Sequence, residues 1–131
     1  MTIGTLLKAA LINDTGVAAI VHSRNYPNKL PQHPTYPANT YQRISNSPQN
    51  GSTSLRSSRW QISCWAETYG EVQELAAAVK ALMEEYTDTA QTPGIKMAEV
   101  VNEIDDFDSE AGEDDKVQRV IIDVMLTTTG D

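Results

Sequence analysis

Cysteine is almost absent from this chain of 131 residues: Cys64 is the only one, which excludes an intrachain disulfide and any zinc site built on cysteine pairs. Histidine is nearly as scarce, at His22 and His33. A nucleophile needs a base within hydrogen-bond reach and a group to orient that base. One histidine follows a short apolar turn and the other sits among prolines, so neither has a stiff support, and both read as surface residues. No apolar run approaches the ~20 residues that span a bilayer, and Met1-Thr2-Ile3-Gly4-Thr5 lacks the basic-then-apolar pattern of a secretory signal. The expectation is a soluble protein made inside the cell, with no membrane partner. A Gly-rich phosphate loop, a Walker motif and a G-x-S-x-G elbow are missing as well. These absences argue against an enzyme, and no cofactor or metal is expected.

What is present is charge, unevenly placed. The formal net charge is −8, yet residues 1–60 hold one acid, Asp14, against Lys8, Arg24, Lys29, Arg43, Arg56 and Arg59, a balance of +5. Residues 61–131 hold 17 acids against Lys80, Lys96, Lys116 and Arg119, a balance of −13. Nine of those acids lie in residues 99–115: Glu99, Glu103, Asp105, Asp106, Asp108, Glu110, Glu113, Asp114 and Asp115. Opposite charges on the two halves suit a chain that meets a second species or its own copies, whereas the overall acidity opposes general nucleic-acid binding. Asp106, Asp108, Glu110 and Gly112 have the alternation of a calcium loop, but its sixth position is Ala111 rather than glycine and its twelfth is Val117 rather than an acid. A solvated hairpin tip is the better reading.

At this length the chain should bury somewhat under ~70% of its unfolded surface, enough for one core, and the reading is a single domain over residues 1–131. Ile3, Leu6, Leu7, Ala10 and Leu11 recur at the spacing of an amphipathic helix, and Val17, Ile20 and Val21 follow in a shorter turn capped by Asp14. Five of the six prolines fall in residues 27–48, so residues 23–38 read as an extended arm. A strand is expected over residues 40–47, then a mobile loop within residues 47–58. A second strand is expected over residues 59–66, where Trp60, Ile62, Cys64 and Ala66 alternate with polar neighbours and Trp65. Thr68-Tyr69-Gly70-Glu71 is a capping box opening a helix whose apolar face is Val72, Leu75, Ala76, Val79, Leu82, Met83 and Tyr86. Two more strands, residues 96–106 and 116–128, flank an acidic hairpin loop at 105–115.

The sum is an α+β fold: a four-stranded, mainly antiparallel sheet, ββαββ after an N-terminal helix, with helices on one face. Its other face would show Tyr41, Trp65, Ile121 and Met125, more apolar surface than a lone sheet leaves in water. Either the Pro-rich arm covers this face, or it is a contact with other copies or a partner, for which the candidates are Arg43, Arg56, Arg59, Trp65, Ile121 and Met125. A basic edge on one subunit meeting the acidic cluster of the next would be a heterologous contact, which closes into a ring if the rotation permits.

The order of these features resembles a known family. The helix Thr5-Leu6-Leu7-Lys8-Ala9-Ala10-Leu11, the arm with Tyr26-Pro27 and Leu30-Pro31-Gln32, and the strands Tyr41-Gln42-Arg43-Ile44-Ser45 and Arg59-Trp60-Gln61-Ile62-Ser63-Cys64-Trp65-Ala66 lead straight into Thr68-Tyr69-Gly70-Glu71-Val72. This run is similar to the tail-completion, or tail-terminator, proteins of long-tailed bacteriophages and prophages, over about residues 5–128. The resemblance implies a structural virion protein that forms a homo-oligomeric, typically six-fold ring on the head-proximal end of the tail. It would touch the tail-tube protein on one side and a head-connector protein on the other, with DNA passing through an acidic lumen without specific binding. It would be made in the host cytoplasm and end in the virion. Another neck component, such as an adaptor on the portal side, or a small dimeric α+β ligand-binding domain are the competing readings.

Overall fold

The computed structural model describes residues 2–48, 55–89, 93–108 and 117–129. Helices α1 (Ile3–Asn13) and α2 (Thr15–Val21) precede strands β1 (Asn25–Pro27), β2 (Ala38–Pro48) and β3 (Leu55–Ala66). Helix α3 (Tyr69–Glu85) and strands β4 (Gly94–Asp108) and β5 (Val117–Thr129) complete the order. Each helix starts where a side-chain oxygen takes up an otherwise orphaned N–H: Thr2 accepts from Thr5 at 3.2 Å, Asp14 from Val17 at 3.0 Å and Thr68 from Glu71 at 3.2 Å. The helices lie where apolar spacing places them, and Ile3, Leu6, Leu7, Ala10 and Leu11 are all buried. Among the described residues no single helix is long and apolar enough to cross a membrane.

The sheet has five strands in the order β1-β2-β3-β5-β4 and is mixed, which corrects the four-stranded expectation. The extra strand lies inside the arm: Asn25, Tyr26 and Pro27 run parallel to Asn39, Thr40 and Tyr41. Three residues are too few for a period-two pattern to be read. Polar groups hold it instead, through Asn39 N to Arg24 O at 3.0 Å, Asn28 N to Tyr41 O at 2.9 Å, and Asn39 Nδ2 to Asn25 Oδ1 at 3.0 Å, with both asparagines buried. Arg24 Nε donates to Pro37 O at 2.9 Å and ties the arm's end to its start. The remaining pairs, β2 with β3, β3 with β5 and β4 with β5, are antiparallel.

The first hairpin is longer than expected, since β2 runs to Pro48 and β3 begins at Leu55. Residues 47, 48 and 55–58, expected in a mobile loop, are paired strand; residues 49–54 lie outside the described residues. Likewise β4 extends through Asp108, so the expected acidic loop at 105–115 begins as strand, and residues 109–116 lie outside the described residues.

Helices α1 and α3 pack on one face of the sheet, and α2 packs against both of them. That face carries Trp60, Ile62, Cys64 and Ala66 from β3 and Val120, Ile122, Val124 and Leu126 from β5, all buried with the apolar faces of α1 and α3. Gly4 lets α1 lie close on the indole: a Cβ there would stand 3.3 Å from Trp60 Cη2, so the ring would have to give by a few tenths of an ångström.

Candidate functional site

Strand register sorts the candidate contacts onto two faces. Trp65 lies opposite Arg119, Ser63 opposite Ile121 and Arg59 opposite Met125, so Arg59, Trp65, Ile121 and Met125 share the face away from the helices. Arg43 pairs with Trp60 and Arg56 with Pro48 and Thr128, which puts both on the helix side. The expected basic edge is therefore split by the sheet. Tyr41, expected on the outer face, is opposite Ile62 and buried in the core. A bulge between Arg43 and Ser45 takes up Ile44, and the strand's alternation changes there.

The outer face is knitted to itself. The Arg119 guanidinium lies 4.8 Å from the centre of the Trp65 ring, and Trp65 Nε1 donates to Thr40 Oγ1 at 3.1 Å. Arg59 Nη2 meets Asp123 Oδ2 at 2.8 Å, with Asp123 4% exposed. A carboxylate so buried between two apolar neighbours needs that counter-charge. Ile121 is also screened, at 9% exposure, so its place as an exposed contact is taken by Ile104 on β4, which pairs with it and is 45% exposed. Met97 adds apolar surface to the same face. Sequence reasoning missed Ile104 because β4 carries two bulges, at 95/97 and 100/102, which blur its alternation.

The acidic cluster is likewise divided. Glu103 lies opposite Ile122 and Asp105 opposite Val120, on the helix side. There Lys80 Nζ meets Glu103 at 2.9 Å and Gln73 Nε2 donates to Asp105 at 3.2 Å, joining α3 to β4. The hydrogen bond to Glu103 pushes the Lys80 pKa up. Glu99 and Asp106 pair with Met125 and Arg119 and are exposed on the other side of the strand. Asp108 ends β4; Glu110, Glu113, Asp114 and Asp115 lie outside the described residues.

His22 and His33 are both exposed, each with a positive φ, and sit apart from these surfaces on the loops flanking β1. Among the described residues no three His, Cys, Asp or Glu side chains are grouped to hold a metal ion. Burial, with Glu103 adding a smaller electrostatic effect, pushes the Cys64 thiol far up. The native protein should therefore resist Ellman's reagent at pH 8 and react with one equivalent in denaturing urea; prompt labelling of the folded chain would contradict this burial.

A family model, tail completion protein gp17, matches residues 5–129. The chain belongs to this tail-completion family. It is a structural tail-completion protein of the virion, located in the tail. A chain from a structure titled "Virion of native gene transfer agent (GTA) particle" is similar in fold, with a TM-score of 0.66 at 15% identity and 95% of each chain covered. A search of the curated proteins finds no match. For a tail-completion protein, surfaces rather than pockets for chemistry are the features to explain, and the two faces and two edges of the sheet are those surfaces.

Proposed function

We infer that this tail-completion protein acts as a ring, typically of six copies, on the head-proximal end of the tail tube, where it ends tube growth and receives the head. The observation that carries the reading is the strand order. It puts β1 and β2, with Arg24, Lys29 and Arg43, at one end of the sheet and the acid-rich β4 at the other. Each copy is thus charged oppositely at its two edges. A head-to-tail contact between unlike edges is heterologous, and such contacts build rings or filaments rather than two-fold dimers. Exposed ion pairs contribute little affinity singly, but complementary edges steer encounter and fix orientation. With a net charge of −8, pairing of the edges leaves acid in excess. That excess would face the lumen and let DNA pass without adhering.

Electron microscopy of the purified protein should show an annulus at low salt, alone or capping added tail tubes, and should show fewer annuli as salt is raised. A monomer or dimer at every salt concentration, with no capping of tubes, would overturn the ring. Binding to portal in place of tail tube would move the protein to the neck.

A further inference from the structure

We propose that the outer main-chain edge of β4 receives the far end of the β2–β3 hairpin of a second copy, so that one subunit's sheet continues into the next. The proposal rests on the ring reading and names the surfaces that meet in it. Strand β4 ends the sheet on its side. Ile95 shows which of its groups look outward: the N–H donates to Asp88 O at 2.7 Å and the C=O accepts from Asp88 N at 2.8 Å, both away from β5. Ile95 stands opposite Thr128, and the residues opposite Leu126, Val124, Ile122 and Val120 share its orientation. Those are Ala98, Val100, Glu103 and Asp105. Asp88 adds a single antiparallel residue to this edge, and the chain before it is already α3, so it adds no more. A long terminal strand with outward donors and acceptors is a template for another strand.

The exposed apolar side chains point to the same two surfaces. Five large ones are exposed among the described residues: Met97, Val101 and Ile104 lie on β4, and a fourth, Ile44, lies on β2. Strand β1 pairs with β2 only at Asn39, Thr40 and Tyr41, whereas β2 runs on to Pro48, so Ile44 stands past the end of β1. Strand β1 is itself closed to addition. Its Asn25 N–H donates to Ser23 O at 2.8 Å, Pro27 has no N–H, and Pro27 O accepts from Lys29 N at 2.8 Å. Charge selects the partner strand. Residues 15–66 contain no acid, so nothing in the hairpin repels β4, whereas β4 against β4 would set one acid-rich strand beside another. The hairpin end and β4 lie on opposite sides of one sheet, so a copy cannot pair with itself. A neighbour must supply the strand, and the same operation repeated builds the heterologous series.

Substitutions in the full-length chain test this through the concentration for half-assembly. Asp105→Pro removes one outward N–H and leaves the ladder to β5 whole, while Asp105→Ala loses the same carboxylate and keeps the N–H. The proline variant should need a roughly tenfold higher concentration than the alanine variant, the weight of about one main-chain hydrogen bond. Ile44→Glu puts an acid where β4 would arrive and should raise the concentration by roughly tenfold or more over the wild type. Far-UV circular dichroism and melting curves confirm that each variant is folded. A folded Asp105→Pro chain that assembles like Asp105→Ala, or a folded Ile44→Glu chain that assembles like the wild type, would overturn the edge pairing while leaving the ring intact. Should the wild type form no ring, the ring reading fails, and the edge is then read by amide hydrogen exchange with a synthetic peptide of residues 38–48. Slower exchange at Ala98, Val100, Glu103 and Asp105 supports the pairing, and unchanged exchange overturns it.

Discussion

Replacing Trp60 by alanine should cost about 3–5 kcal/mol of folding stability, read as a loss of urea midpoint with unchanged slope. The indole is 5% exposed and touches α1, β2 and its own strand. Its Cη2 edge lies under Gly4 at the start of α1, its face carries the Arg43 guanidinium, and its Nε1 donates to Ser58 Oγ at 2.9 Å. Alanine removes the floor that α1 rests on and leaves a cavity that a helix pinned by Ile3, Leu6 and Leu7 cannot follow inward. Trp60→Phe separates the contributions, keeping a ring beneath Gly4 and Arg43 while losing the N–H. It should cost about 1–2 kcal/mol, chiefly from the buried Ser58 hydroxyl left without its donor. An alanine variant as stable as the wild type would mean that α1 is not seated on this ring.

The second large effect is expected at the centre of the sheet. Ile122→Ala should destabilise by about 2–5 kcal/mol, which for a chain of this size corresponds to a fall of roughly 10 °C in Tm. Ile122 is wholly buried, with Ile62 beside it on β3, and belongs to the cluster that Leu75 and Val79 of α3 also enter. Strands on both sides hold its backbone in register, so the site cannot collapse around the lost atoms. Total stabilities of about 5–15 kcal/mol are usual for such domains, and the loss would be a large share of it. A change under 1 kcal/mol by urea titration would show that this layer is loosely packed.

The helices and the two central strands are legible without coordinates because each repeats its period over enough residues. Val72, Leu75, Ala76, Val79 and Met83 are buried, and so are Val120, Ile122, Val124 and Leu126. Strand β2 was legible in place but not in orientation. Tyr41 and Ile44 differ in parity, so its apolar residues do not agree on a face, and the bulge that resolves the conflict follows from pairing with β3. The candidate surface fared similarly. Arg59, Trp65 and Met125 do share one face, with Arg59 opposite Met125 and Trp65 farther along the strand, whereas Arg43 and Arg56 go to the other side and Ile121 is screened by its neighbours.

The scarcity of cysteine and histidine, the amphipathic helices, their caps and the +5 and −13 halves are local or compositional, and the sequence by itself determined them. Only the tertiary structure decided that a three-residue strand pairs in parallel with β2, and that β5 inserts between β3 and β4. Those are long-range hydrogen bonds between segments whose partners no local pattern names. Their consequence is that charge separated along the chain becomes charge separated across a sheet, with the basic strands at one edge and the acidic strand at the other.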